Sequence, residues 1–324
     1  MTTFLDPERQ NAHRQQNFYQ SLILLGGIAA VLLLAAWLVW GLLGAVLALV
    51  ALAALYTLGP SVPPESLMRL YRGRIVPGND GSQLSSLIDV LAFRAELPRR
   101  PELYVVPSMT LNAFAAGSPH RSAIAITEGL LRRLSLREIA GVVAHEISHI
   151  RNNDLRVLGL ADFVTRLLQM LSYVALALAI LNILAALAHE QVVSWWVVAL
   201  LYLAPAISSL LQLALSRTRE FDADLEGAAL SGDALGLASA LRRIETNTGR
   251  FWEDLMFPVP ARRVSQPSLL RSHPSTEDRI ARLLSQDSRT GLDPIRIVEE
   301  PMVSLVGFGP IEMRPRYRWP GLWF

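Results

Sequence analysis

Three long apolar stretches interrupt an otherwise mixed sequence. No charged side chain occurs in residues 21–59, 167–188 or 192–215. A helix that spans a bilayer needs about 20 apolar residues. The first stretch is long enough for two spans, near 21–40 and 43–59, and each later stretch is long enough for one. The pattern therefore predicts four transmembrane helices.

Two features support a turn in the middle of the first stretch. Trp37 and Trp40 are residues that favour the membrane interface, and Gly41 and Gly44 permit a tight turn. A cleavable signal peptide is disfavoured because the stretch is too long and no small-residue cleavage site stands out.

Basic residues flank one side of every predicted span. All 30 basic residues are Arg. The turns at 41–42 and 189–191 carry none, whereas the opposite ends of the spans carry Arg9, Arg14, Arg69, Arg72, Arg74, Arg156, Arg166, Arg217 and Arg219. Because positive residues near spans stay in the cytoplasm, we expect both termini and the polar regions to be cytoplasmic. The expected location is the inner membrane of a cell, in multi-pass form.

Composition excludes several other classes of protein. The chain is 52% hydrophobic and 18% charged, with a mean hydropathy of +0.33, too apolar for an ordinary soluble enzyme. The absence of Cys excludes disulfides and thiolate metal sites. Arg residues flank spans rather than clustering with aromatics, so we expect the lipid bilayer, not nucleic acid, as their partner.

A polar motif lies in a predicted amphipathic helix between the second and third spans. Its sequence is His145-Glu146-Ile-Ser-His149, and Ser135 with Glu138 forms a capping box that would begin the helix. Positions i and i+4 share a helix face, so both imidazoles can reach one metal ion. The Glu146 carboxylate can then activate water. A buried histidine pair that only hydrogen-bonds to backbone is the structural alternative.

A catalytic zinc site needs a third protein ligand. After the fourth span, the segment Arg219-Glu-Phe-Asp-Ala-Asp224 supplies carboxylates at helical spacing. One of them can bind metal while another accepts a hydrogen bond from a ligating histidine. Spacing alone leaves Glu220, Asp222, Asp224 and Glu226 open as the ligand.

The order of these motifs resembles the HtpX-type membrane zinc endopeptidases, relatives of the CAAX prenyl protease that removes tripeptides from prenylated proteins. The H-E-x-x-H helix, two following spans and Arg217-Thr-Arg-Glu-Phe-Asp-Ala-Asp224 carry the resemblance, together with Asn112-Ala-Phe-Ala-Ala-Gly117 and Ser272-His-Pro-Ser275. It covers about residues 1–285.

The resemblance implies a role for each motif. His145, His149 and Glu220 would bind Zn²⁺, Glu146 would be the catalytic base, and Asp224 would hold a ligating histidine. The segment with Asn112, Ala113, Phe114 and Ala115 would be an edge strand that binds substrate by strand addition. His273 would donate to the tetrahedral oxyanion; packing beside Pro274 is the alternative for it.

These patterns predict a mainly α membrane protein with four transmembrane helices and a cytoplasmic, zincin-like α+β catalytic domain with a small sheet. The expected organisation is a cytoplasmic segment 1–20, a membrane hairpin 21–59, catalytic regions 60–166 and 216–285 separated by a second hairpin 167–215, and a tail 286–324 of no assigned role. Single helices are expected near 83–96, 217–230, 232–246 and 276–285.

The predicted function is zinc-dependent hydrolysis of peptide bonds in membrane or misfolded proteins at the cytoplasmic face, as part of membrane protein quality control and stress response. A membrane sensor or regulator that binds metal without proteolysis is the alternative; an altered Glu146 would favour it, and Glu146 is present. A transporter or scaffold that uses the four spans is a second alternative; acidic or basic residues within the spans would favour it, and these spans have none.

Overall fold

The structure is a computed structural model that describes residues 7–58, 63–78, 82–187, 189–190, 192–256, 276–286, 295, 317–318 and 322–323. Within these residues the helices are α1 (Pro7–Leu58), α2 (Pro64–Leu70), α3 (Gln83–Arg94), α4 (Glu128–Arg133), α5 (Leu136–Arg151), α6 (Asp154–Ala186), α7 (Trp195–Ser231), α8 (Ala234–Met256) and α9 (Thr276–Gln286). The strands are β1 (Arg74–Val76), β2 (Glu102–Val106), β3 (Ala113–Ser118), β4 (Arg121–Thr127), β5 (Tyr317–Arg318) and β6 (Leu322–Trp323). The fold is mainly helical, with a small mixed sheet.

Three of the described helices are long and apolar enough to cross a membrane: α1, α6 and α7. Within α1, Trp40 and Gly41 leave the helical conformation, and Gly41 has φ 62°. A β-carbon at Gly44 would lie 2.3 Å from the carbonyl oxygen of Ala36, although residues eight apart in a straight helix are separated by about 12 Å. The chain therefore reverses direction inside α1.

Helices α6 and α7 run antiparallel and in close contact. Arg219 meets Asp154 at one end, the Thr165 and Ser208 hydroxyl oxygens are 2.9 Å apart midway, and Asn182 Nδ2 donates to Val193 O at the other end. With 33 and 37 residues, these helices are about 50 and 55 Å long, whereas the bilayer core is about 30 Å thick. Each helix is thus about 20 Å longer than a span requires.

This length corrects one expectation. The sequence was expected to form a separate helix near 217–230, but α7 continues without a break from Trp195 to Ser231 and ends at Gly232, which has φ 71°. Charge changes abruptly at Arg217, yet residues 206–226 contain no Gly or Pro that would end a helix there. A membrane boundary therefore need not be a helix boundary.

The four-stranded sheet has the order β1-β2-β4-β3. Strands β2 and β4 are parallel, and β3 is an antiparallel edge strand on β4. Alternate residues of β3 face opposite sides: Ala113 and Ala115 pack in the core with α5, whereas Phe114 and Ala116 pack with residues of α2 and β2. The sheet therefore lies directly beside the H-E-x-x-H helix.

Helix α5 begins at the expected capping box between Ser135 and Glu138 and buries almost its whole length. It lies against α7, and the two helices approach closely at Gly227. A β-carbon at Gly227 would lie 2.9 Å from the main-chain nitrogen and Cα of His145. Because glycine permits this approach, α7 brings its carboxylates to the histidines of α5.

Candidate metal centre

Three of the predicted residues meet at the crossing of α5 and α7. Nε2 of His145 is 3.6 Å from Oε2 of Glu220, and Nε2 of His149 is 3.9 Å from Oε1 of the same carboxylate. One ligand atom from each of the three residues lies within 4.8 Å of the others, and all three side chains are buried. The structure therefore brings together His145, His149 and Glu220.

The chemistry of these donors fits a divalent ion. Two imidazoles and one carboxylate form a known catalytic zinc set, whose bonds of about 2.0–2.2 Å would separate neighbouring donors by roughly 3.3–3.6 Å. The observed 3.6 and 3.9 Å are close to this separation. Around the set, the carboxylates Glu146, Glu220, Asp154 and Asp224 face the guanidiniums of Arg219 and Arg279. With the imidazoles neutral and the carboxylates ionised, as metal binding requires, these four negative and two positive charges leave an excess of two negatives.

Each histidine faces an aspartate through its other ring nitrogen. Nδ1 of His145 lies 3.1 Å from Oδ1 of Asp224, and Nδ1 of His149 lies 3.0 Å from Oδ2 of Asp154. Each aspartate in turn meets an arginine: Asp154 binds Arg219, and Asp224 binds Arg279. Such partners fix the ring so that Nε2 points to the metal position.

The negative field of the site acts on these groups. Burial by itself would lower the pKa of His149, but the hydrogen bond with Asp154 and the charges of Glu146 and Glu220 raise it to about 9. Burial would raise the pKa of Asp224, but Arg279 and His145 hold it below its ordinary value. A field that attracts a proton to an imidazole also attracts a metal cation, which must displace that proton.

Glu146 lies beside these three residues. Burial raises the pKa of its carboxyl above the ordinary value, and the charge of Glu220 acts in the same direction, whereas the two histidines oppose it. The Ala115 N–H of β3 donates a hydrogen bond to this carboxylate and also lowers its pKa. Helix α5 and the edge strand therefore hold the predicted base together.

The register of β3 explains this hydrogen bond. Thr127 N–H donates to Asn112 O at 3.0 Å, so Ala113 and Ala115 are residues whose main-chain groups point away from β4. Asn112 precedes the strand and is tied to Thr127 through its own main chain. Phe114 faces the opposite side, with its ring centroid 4.8 Å from that of Tyr71.

The other carboxylates left open by spacing lie elsewhere. Glu226 accepts hydrogen bonds from Ser148 at 2.5 Å, Arg151 at 2.6 Å and Asn152, so it ties the end of α5 to α7. Asp222 is half-buried, and burial raises its pKa to about 7. Neither joins the histidine cluster, and His273 lies outside the described residues.

Sequence reasoning missed Asp154, Arg219 and Arg279 as parts of the site. Asp154 follows His149 by five residues, after Asn153, which has φ 56°. That left-handed residue lets the chain turn back, and its identity is the one signal in the sequence, because asparagine adopts this conformation more readily than most residues. Arg279 comes from α9, and only packing connects that helix to the histidines.

The fold and site together define a metalloprotease with membrane-spanning character. The profile of peptidase family M48 matches residues 79–287. The chain belongs to this family. It is 35% identical over 301 residues to a protein named protease HtpX homolog from Acaryochloris marina (strain MBIC 11017), covering 84% of this chain and 96% of that protein.

Two further proteins illustrate the range of similarity. A protease HtpX homolog from Desulfatibacillum aliphaticivorans is 31% identical over 287 residues, covering 86% of this chain and 92% of that protein. The crystal structure of Ste24p from S. mikatae has a TM-score of 0.44 and 18% sequence identity, covering 84% of this chain and 66% of that chain.

Proposed function

We propose that this protein is a zinc endopeptidase that cleaves membrane or misfolded proteins at the cytoplasmic face of the inner membrane. The observation that carries the proposal is the buried cluster of His145, His149 and Glu220 with Glu146 beside it. Substrates of this kind suit a role in membrane protein quality control.

Zinc would be held by the Nε2 atoms of the two histidines and a carboxylate oxygen of Glu220. A zinc ion bound there supplies a Lewis acid for the scissile carbonyl and makes water more acidic. The chain's own contribution is orientation, because Asp154 and Asp224 hold the imidazoles through Nδ1.

Glu146 would act as general base and then as general acid. Its carboxylate would take a proton from the attacking water and pass it to the leaving amine. The Ala115 N–H holds the Glu146 carboxylate in place, and as a hydrogen-bond donor it does not compete for the transferred proton.

Substrate would bind as an extended strand along β3. This strand is the edge of the sheet, and the main-chain groups of Ala113 and Gly117 point away from β4. Ala115, between them, bonds to Glu146. A peptide that pairs with this edge would lie beside the base and the metal ligands. His273 would contribute to the oxyanion, as the family resemblance implies.

The membrane region would contain four spans, with α1 supplying two. The reversal at Gly41 and Gly44 supports this count. Both halves of α1 contact the other apolar helices: Gly27 is against Leu211 of α7, and Arg156 of α6 stacks on Tyr56 at 4.7 Å. Exposed tryptophans at the opposite end, Trp40 and Trp196 among them, suit the other interface.

One experiment tests activity and orientation together. The protein is expressed in bacterial membranes, and unfolded casein is added to inverted and to right-side-out vesicles. We expect cleavage by the inverted vesicles alone, with loss of activity in a zinc chelator and recovery on adding zinc. Cleavage by intact right-side-out vesicles would show that the site faces the opposite side of the membrane from the one proposed. Cleavage that survives complete removal of metal would exclude the proposed chemistry.

A further inference from the structure

Arg279 is a buried arginine that reaches the metal centre from a helix late in the chain. It lies in the first part of α9 and is only 9% exposed. The apolar side of α9 packs against α7 and α8 through Ile280 and Leu283, which join a cluster with Ala228 and Leu237. Packing of α9 therefore places the Arg279 guanidinium inside the site.

The guanidinium binds two carboxylates at once. Its Nε donates to Oδ2 of Asp224 and its Nη2 to Oδ1, both at 2.6 Å, in a bidentate pair. Its Nη1 lies 3.3 Å from Oε2 of Glu220. A lysine could not make this arrangement, because an ammonium lacks the planar fork.

Through these contacts Arg279 touches two of the carboxylates around the proposed metal position. Asp224 Oδ1, which Arg279 holds, also faces Nδ1 of His145 at 3.1 Å. Glu220 is the proposed carboxylate ligand. Without a cation between them, the two buried carboxylates would repel each other.

We propose that Arg279 is a positioning residue of the metal centre, whose guanidinium holds Asp224 against His145 and directs Glu220, so that these contacts, and not the packing of α9 alone, strengthen zinc binding. The inference rests on the proposed zinc site. It adds that a helix that contributes no ligand determines how well the ligands are arranged.

Two effects of Arg279 on zinc oppose each other. Its positive charge repels a metal cation, so removing it would by itself favour zinc. However, the charge is already balanced by the bidentate pair with Asp224. Loss of a partner that orients a ligand typically lowers metal affinity about 10–100-fold. We therefore expect orientation to outweigh repulsion.

Arg282 provides a matched control. It lies three residues further along the same helix, and its guanidinium stacks on the ring of Phe221 at 4.6 Å. Arg282→Gln thus removes another arginine that connects α9 to α7. Its contact is with an aromatic ring, whereas that of Arg279 is with the carboxylates of the site. A defect of helix docking alone should appear in both variants.

The experiment measures zinc affinity of the full-length, detergent-purified protein by competition with a chromogenic chelator. The same proteins are melted with and without zinc, because a ligand raises the melting temperature according to its affinity. We expect Arg279→Gln to weaken zinc binding about 10–100-fold and to reduce the zinc-induced rise in melting temperature. Arg282→Gln should keep the wild-type affinity.

The outcomes separate the two proposals. Failure of the wild-type protein to bind zinc would reject the metal site itself. Normal zinc affinity in Arg279→Gln, beside a wild type that binds, would overturn only the role of Arg279. An equal fall in both arginine variants would also overturn it, since docking alone would then explain the effect. If Arg279→Gln does not fold, Arg279→Lys replaces it, because lysine keeps the positive charge but lacks the planar guanidinium. Wild-type zinc affinity in Arg279→Lys would also overturn the role of Arg279.

Discussion

The two histidines face the same kinds of group, supplied by different parts of the chain. His149 is held by Asp154, which binds Arg219, and His145 is held by Asp224, which binds Arg279. In both cases an imidazole meets a buried carboxylate that meets a guanidinium.

The difference lies in where the arginines come from. Arg219 is the neighbour of Glu220 on α7, and Asp154 begins α6 directly after the histidine helix. The His149 support is therefore part of the two helices that continue from the membrane. The His145 support closes only when α9, 55 residues beyond Asp224, packs onto α7. One half of the site depends on the membrane helices, and the other half depends on a separate docking event.

Glu220 is common to both halves, so its removal should have the largest effect. Glu220→Ala leaves two imidazoles in a buried site with no carboxylate ligand. We expect the purified protein to lose most of its bound zinc, from about one ion per chain to a small fraction. The measurement is zinc content by elemental analysis after dialysis against a weak chelator.

Glu226→Gln is the control for this loss. Glu226 lies on the same helix, is similarly enclosed and ties α7 to Ser148, Arg151 and Asn152 instead of joining the cluster of His145 and His149. It should retain zinc. Equal zinc contents in the two variants would show that Glu220 is not a ligand.

A smaller effect should distinguish the two supports. Asp154→Asn and Asp224→Asn keep the shape of each side chain but remove its charge, and each should lower zinc affinity about 10–100-fold. The two aspartate variants should behave differently when each is combined with Arg279→Gln. Asp224 and Arg279 act along one path, so the second change should add little to the first. Asp154 belongs to the other support, and its effect should add to that of Arg279.

Zinc affinities of the single and double variants complete this cycle. Full additivity for Asp224 with Arg279 would mean that the arginine acts on zinc by another route. Strong coupling between Asp154 and Arg279 would mean that the two supports are not separate.

Much of the fold could be predicted from the sequence, because its signals are local. The capping box at Ser135 and Glu138 marks the start of α5, and short apolar runs mark β2 and β4. The continuation of α7 into the catalytic region was not predicted, since hydropathy shows where lipid contact ends and not where a helix ends.

The histidines could be predicted for the same reason, since i and i+4 share a face whatever the tertiary fold. The choice among Glu220, Asp222, Asp224 and Glu226 could not be made from spacing. It depends on the angle at which α7 crosses α5, which Gly227 permits. Arg279 was beyond reach, because a contact between distant segments leaves no pattern in one sequence.

The most direct test of the catalytic centre is Glu146→Gln in the purified protein. The amide keeps the size of the side chain but cannot accept a proton near neutral pH, and Glu146 is not a proposed ligand. We expect cleavage of casein to fall at least about 10²–10⁴-fold, while zinc content and melting temperature stay near those of the wild type. A Glu146→Gln protein that binds zinc, remains folded and cleaves at nearly the wild-type rate would contradict the account.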